Sequence, residues 1–170
     1  MRVLCCLDGQ NIAQISAAVS TFLSAEALSL GLLYVVDSGP HADMERQRER
    51  FLRAREIATP RLEQMRQAEQ DAAQDILTEG TRYLQGAETL MREGRSEREI
   101  VNCAAEWHAD LIVLCPRSSS DRNVILGPKS VGHVARFVLD HAPCPVLLVR
   151  SVVREQFPID HNPPKMREIP

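Results

Sequence analysis

The chemistry a sequence can do depends on which side chains it gathers at one turn, and the richest turn here runs from Arg117 to His133, "RSSSDRNVILGPKSVGH". Arg117, Arg122 and Lys129 supply positive charge, and Ser118 and Ser130 supply hydroxyls. The segment turns into a helical pattern near Ser130 to Gly132, where unpaired backbone N–H groups and a positive dipole end suit a phosphate. A backbone that wraps phosphate uses several glycines, and this stretch has only Gly127 and Gly132. The same residues also fit a plain polar connector with Ser130 as an N-cap. A second candidate is Asp8, which follows "RVLCCL" and precedes Gly9. Its carboxylate could accept a hydrogen bond from an exocyclic amine or a ribose hydroxyl, and it could equally turn the chain and cap the next helix. The two roles are compatible.

Signals for catalysis are weak, and the expectation is a protein that is not an enzyme. No serine stands in a Gly-x-Ser-x-Gly elbow. No strand end carries paired carboxylates for acid and base work. The "GPKS" at Gly127 to Ser130 matches only the tail of a phosphate-binding P-loop and does not follow a strand directly. The five cysteines include no Cys-x-x-Cys pair, and the five histidines lie apart from them, so no metal is expected. Adjacent Cys5 and Cys6 should point to opposite faces of a strand as reduced core thiols. Cys115, at a strand end beside Arg117, could be redox-active, but its apolar setting favours a buried thiol. His141 should pack on or cap the end of its helix.

The elements that must position these residues alternate. "RVLCCL" is a strand, and Ile12, Ile15, Val19, Phe22 and Leu23 then recur at helical spacing from Asn11 to Ala25. "LSLGLLYVV" is a continuous apolar strand that stops at Asp37-Ser38-Gly39-Pro40. Residues 43–84 are helical in composition but contain Pro60, which predicts two helices or one kinked helix with Thr59 pushed from helical angles. "AETLMREG" is a third strand. Ser96 and Glu99 form a capping-box pattern, predicting a helix from there to about His108. "DLIVLC", a helix from about Ser130 to His141 and "CPVLLV" complete the pattern. Single strands separated by helices predict an α/β fold, an open five-stranded parallel sheet with helices on both faces. Ligands of such sheets bind beyond the carboxyl ends of the strands, where strand order reverses.

The remainder of the chain sets bounds. A length of 170 residues fits one domain with a real core, and a net charge of -3 argues against a nucleic-acid partner. No apolar run approaches the ~20 residues that span a bilayer, and the start lacks a signal-peptide pattern, so the expectation is a cytoplasmic protein with no membrane partner. Residues 151–170, with Pro158, Pro163, Pro164 and Pro170, read as an extended tail after a domain of residues 1–150. The arginine-rich "MERQRERFLRAREI" reads as a solvated face or as a docking surface for an acidic partner.

Several stretches resemble the universal stress protein family: "VLCCLDG" its first strand and terminal Asp, "LLYVVD" its second strand, "GRSEREIVNCAAEWHADLIVLCPR" its third helix and fourth strand, and "VGHVARFVLDHAPCPVLLVR" its last helix and strand. The resemblance spans most of residues 2–150 and omits the middle from about 40 to 85 and the tail. It implies a Rossmann-like fold of the adenine nucleotide alpha hydrolase type and a homodimer through the last strand. It also implies ATP or AMP binding as a stress-response regulatory module, although some members bind no nucleotide. Family binders share Gly-x2-Gly-x9-Gly-Ser/Thr after the fourth strand. In this chain the first two glycine positions fall on Cys115 and Ser118, the third on Gly132, and His133 replaces the hydroxyl residue. Thirteen residues, not nine, separate Ser118 from Gly132. By this resemblance Leu7, Asp8 and Val35 would lie at the base, and Cys115, Arg117, Ser118, Lys129, Ser130, Gly132 and His133 near ribose and phosphates. The alternative is a protein of the same family that binds no nucleotide and acts through an unidentified protein partner.

Overall fold

The structure is a computed structural model that describes residues 1–23, 28–37, 59–116 and 130–150, with only the backbone described at 59–62. Among these residues the elements run β1 (Arg2–Leu7), α1 (Ile12–Phe22), β2 (Ser29–Asp37), α2 (Thr59–Tyr83), β3 (Glu88–Gly94), α3 (Ser96–Glu106), β4 (Leu111–Leu114), α4 (His133–His141) and β5 (Val146–Leu148). The five strands form one sheet in the order β3-β2-β1-β4-β5, and every pairing is parallel.

The side-chain alternation of β1 divides the core in two. Val3, Cys5 and Leu7 pack with Ile12, Ile15 and Val19 of α1 and Leu77 of α2. Leu4 and Cys6 pack on the opposite face with Ile100 and Cys103 of α3 and Val138 of α4. Helices therefore cover both faces, and adjacent Cys5 and Cys6 enter different cores, as a period of two requires. The central strands carry almost unbroken buried apolar runs because neither of their faces meets water.

Local chemistry differs from expectation at four places. Ser96 is the first helical residue of α3, not its cap, and the N-cap Arg95 makes no side-chain cap bond. The Arg95 carbonyl already accepts from the Arg98 and Glu99 amides, both at 2.9 Å, so the turn closes one residue early and the capping box does not form. α4 begins at His133 with Gly132 as N-cap, three residues later than expected at Ser130. Pro60 lies in the first turn of α2, where no amide donor is needed, and Thr59 before it is helical instead of pushed from helical angles. Phe22 is 70% exposed, and the buried face of α1 ends at Val19. Predicted features at 24–25, 43–58 and 151–170 lie outside the described residues.

The amino end of the sheet is tied down by side chains. The Arg2 guanidinium lies 4.3 Å from the centre of the Trp107 ring, and the Trp107 indole donates to Glu88 Oε2 at 2.9 Å. The Arg2 amide donates to Asp110 Oδ2 at 2.7 Å, and the Asp110 amide returns a bond to the Arg2 carbonyl at 2.8 Å. Gly31 lets this indole reach the sheet, since a Cβ there would stand 3.0 Å from the ring.

Candidate functional site

The chain enters the sheet at β1, builds β2 and β3 to one side, then crosses to β4 and β5 on the other. Strand order thus reverses between β1 and β4, and α1 and α4, the next described helices after them, pack on opposite faces of the sheet. A cavity of about 450 Å³ opens there, within the ~300–1,000 Å³ usual for small-ligand sites. Its walls come from Leu7 at the end of β1 with Asp8 and Asn11 after it, Leu33, Val35 and Asp37 of β2, and Leu114 and Cys115 at β4. Ser96 and Ile100 of α3 and the start of α4, including Gly132 and His133, complete it.

The turn after β1 is closed by its own side chains. Asp8 Oδ1 accepts from the Gln10 and Asn11 amides, both at 2.9 Å. Asn11 Oδ1 accepts from the Asp8 amide at 3.0 Å, and its Nδ2 donates to the Cys6 carbonyl at 3.0 Å. Asn11 is 4% exposed, a buried amide whose polar atoms are met by this turn. Asp8 therefore does the structural work of starting α1, its Oδ2 takes none of these bonds, and the residue lines the cavity.

The turn into α4 is built differently. Gly132 has φ 80 and ψ 166, a region that essentially only glycine occupies. The first helical bond runs from the Arg136 amide to the Gly132 carbonyl, so the amides of residues 133–135 have no partner within the helix. His133 Nε2 lies 3.7 Å from Glu97 Oε1 in the first turn of α3. Two helices thus begin beside one cavity, and each brings the positive end of its dipole.

Cys115 carries no sign of an activated thiol. Burial, and then the negative charge of Asp8, push its pKa up to about 11 against a weaker opposing hydrogen bond from Asn11. Burial alone pushes Cys5 up to about 12, and Cys6 is also raised well above the usual thiol value, first by burial. All five cysteines are free. At neutral pH these raised thiols are protonated and poor nucleophiles. Among the described residues no three His, Cys, Asp or Glu side chains group as metal ligands, and no helix is long and apolar enough to cross a membrane.

Of the residues singled out in the sequence, Leu7, Asp8, Val35, Cys115, Gly132 and His133 meet at this cavity. Ser130 does not line it, and its hydroxyl accepts from the Arg150 guanidinium at 3.2 Å. Arg117, Ser118 and Lys129 lie outside the described residues. Sequence reasoning assigned Asn11 and Ser96 only to helix capping, yet both reach the wall. Their positions shortly after a strand end, four residues past β1 and two past β3, were the available signal.

Residues 1–150 match the Universal stress protein family. The chain belongs to that family. Among solved structures, the universal stress protein UspA from Lactobacillus plantarum aligns with TM-score 0.65 and 22% identity, over 88% of this chain and 97% of that one. A universal stress protein in complex with cAMP aligns with TM-score 0.56 and 17% identity, over 89% and 98%. A family protein from Arabidopsis thaliana with AMP bound aligns with TM-score 0.55 and 16% identity, over 94% and 97%. At these identities the likeness establishes the fold, which is the Rossmann-like, adenine nucleotide alpha hydrolase-like arrangement of the universal stress proteins. Comparison with curated protein sequences gives no significant match.

Proposed function

We propose that this universal stress protein binds an adenine nucleotide, ATP or AMP, in the cavity over the β1–β4 crevice and acts as a regulatory module without catalysis of its own. The observation that carries this reading is the junction of three unlike surfaces in one 450 Å³ cavity: the apolar end of β2, the Asp8 turn and the Gly132 start of α4. A nucleotide needs such a combination, with a flat apolar slot for the base, an acceptor for amine or hydroxyl, and amide donors for phosphate. Two proteins of the same fold hold AMP and cAMP. Val35, Leu33 and Leu7 would flank the base, Asp8 Oδ2 would accept from it or from the ribose, and the amides of 133–135 would face phosphate. Arg117, Ser118, Lys129 and Ser130 are proposed phosphate-side groups on the sequence argument alone.

The test is direct. Purified protein is denatured, and the supernatant is examined by mass spectrometry for co-purified nucleotide, while melting is followed with ATP or AMP. Nucleotide at 100 times its Kd should add about 2.7 kcal/mol of stability. An empty supernatant together with no melting shift in millimolar nucleotide would rule the reading out.

A second reading, an interaction protein without nucleotide, draws on α2. Residues 63–72 of that helix are exposed throughout, and burial begins only at Ala73. The partner surface would be this outer half of α2 or the arginine-rich segment before it. If pulled-down partners are unchanged after deletion of 151–170 and charge reversal of Arg46, Arg48, Arg50 and Arg53 together with Glu63, Arg66 and Glu69 on α2, this reading falls. We also propose a cytoplasmic homodimer that pairs through β5, whose three residues are only half-buried in the single chain. Light scattering on Leu147→Lys should then report monomer.

A further inference from the structure

We propose that Glu97 is a specificity-determining residue of this site: its carboxylate acts as an internal anion, so that ligand affinity is penalised with each phosphate the ligand carries. The inference rests on the nucleotide-binding reading above and names the part of the ligand that the chain discriminates. Ser96 at the start of α3 and Gly132 and His133 at the start of α4 line the same cavity. Glu97 follows Ser96 in the first turn of α3, and its carboxylate reaches across to within 3.7 Å of His133 Nε2. The Glu97 side chain is 14% exposed against 78% for His133, so the acid is the sheltered member of the pair. A carboxylate shielded this way is screened by water far less than a surface acid.

Phosphate brought to the first amides of α4 would compete with that carboxylate for the same positive end. Among the described lining residues, the acidic groups are Asp8 and Asp37 and the basic one is His133. Glu97, one residue past Ser96 on the wall, therefore adds negative charge beside described lining residues that already hold more acid than base. Partly screened at the cavity edge, this repulsion changes binding by about threefold for one phosphate and by about tenfold summed over a triphosphate. Adenosine and a monophosphate would be disturbed least and a triphosphate most. An acid in a first turn also steadies its own helix, and that ordinary role must be told apart. Glu99 supplies the contrast: it lies in the same first turn, but its side chain lies over Gly94, 2.9 Å from where a Cβ would stand.

The experiment titrates adenosine, AMP and ATP, without divalent cation, into the full chain, Glu97→Gln and Glu99→Gln by calorimetry. Glu97→Gln should tighten ATP about tenfold, AMP about threefold and adenosine less than about twofold. Glu99→Gln should move all three ligands by a common factor. Because the readout is a ratio of affinities within one protein, a change in stability does not mimic it. An unchanged ATP-to-adenosine ratio in Glu97→Gln, or an equal change in Glu99→Gln, overturns the inference while leaving nucleotide binding standing. If none of the three ligands binds wild type or variant, nucleotide binding falls and the inference falls with it.

Discussion

The two ends of the sheet are finished in opposite ways. At the amino end, Arg2, Glu88, Trp107 and Asp110 answer one another through a cation–π contact and hydrogen bonds, and Gly31 lets the indole close against the strand. At the carboxyl end the first turn satisfies itself, through Asp8 and Asn11. The turn into α4 leaves amides without helical partners beside a cavity. In a parallel sheet all strands point the same way, so one end can be given to packing and the other to a ligand. The comparison teaches that stability and binding in this chain should respond to different residues.

The largest effect should come from the amino end. Trp107→Ala removes an indole that is 8% exposed, and it should cost about 3–5 kcal/mol in urea unfolding. Nucleotide affinity measured on the folded fraction should stay within about twofold of wild type. A large loss of affinity there would mean that the two ends are coupled.

Next is the core between the ends. The Cys5 thiol, raised by burial from 9.0 to about 12, is neutral in the folded chain over a range where the unfolded chain ionises. Its contribution to stability is therefore intact below pH 9 and is lost as pH rises toward 12. By pH 10.5 the loss attributable to Cys5 should be about 2 kcal/mol. Urea midpoints at pH 8 and 10.5 check this, because Cys5→Ala should flatten that part of the pH dependence. An unchanged slope in the variant would show that burial does not hold this thiol neutral.

Gly132→Ala probes the open end. A side chain at φ 80, ψ 166 should cost about 1–2 kcal/mol or shift the turn, and ligand affinity should fall by about tenfold or more. If affinity stays at wild-type level while stability drops, the α4 turn belongs with the structural end of the molecule. The smallest effect should come from the flank. Arg92 and Glu106 lie 2.6 Å apart with side chains 39% and 61% exposed, and Glu106→Gln should change stability by less than about 0.5 kcal/mol.

Legibility followed the same division. The five strands and the order of elements were readable because continuous apolar runs and helical spacing are local patterns. Asp8 was readable as the residue that turns the chain after β1, since a carboxylate at a strand end before Gly9 can accept from the amides that follow. The caps were less readable. Ser96 and Glu99 have capping-box spacing, yet the Arg95 carbonyl took the bonds that start α3. Ser130 has the right type for an N-cap, yet its hydroxyl meets Arg150, twenty residues later in the chain. Pro60 marked a helix boundary, and the difference from expectation is confined to Thr59, which is helical although it precedes a proline.

The sequence by itself determined the alternation of strands and helices, the two-faced burial of β1 and the run of polar residues after each of β1 and β4. These depend on neighbours a few residues apart, and periodicity records such neighbours. Only the tertiary structure decided that Asn11, Ser96 and His133 share one cavity, that Glu97 stands opposite His133, and that Arg2 stacks on Trp107. Those pairs are separated by tens of residues and meet because the sheet order places β1 beside β4 and the start of α3 beside the start of α4. No local pattern encodes such a meeting, since it arises from how whole elements pack.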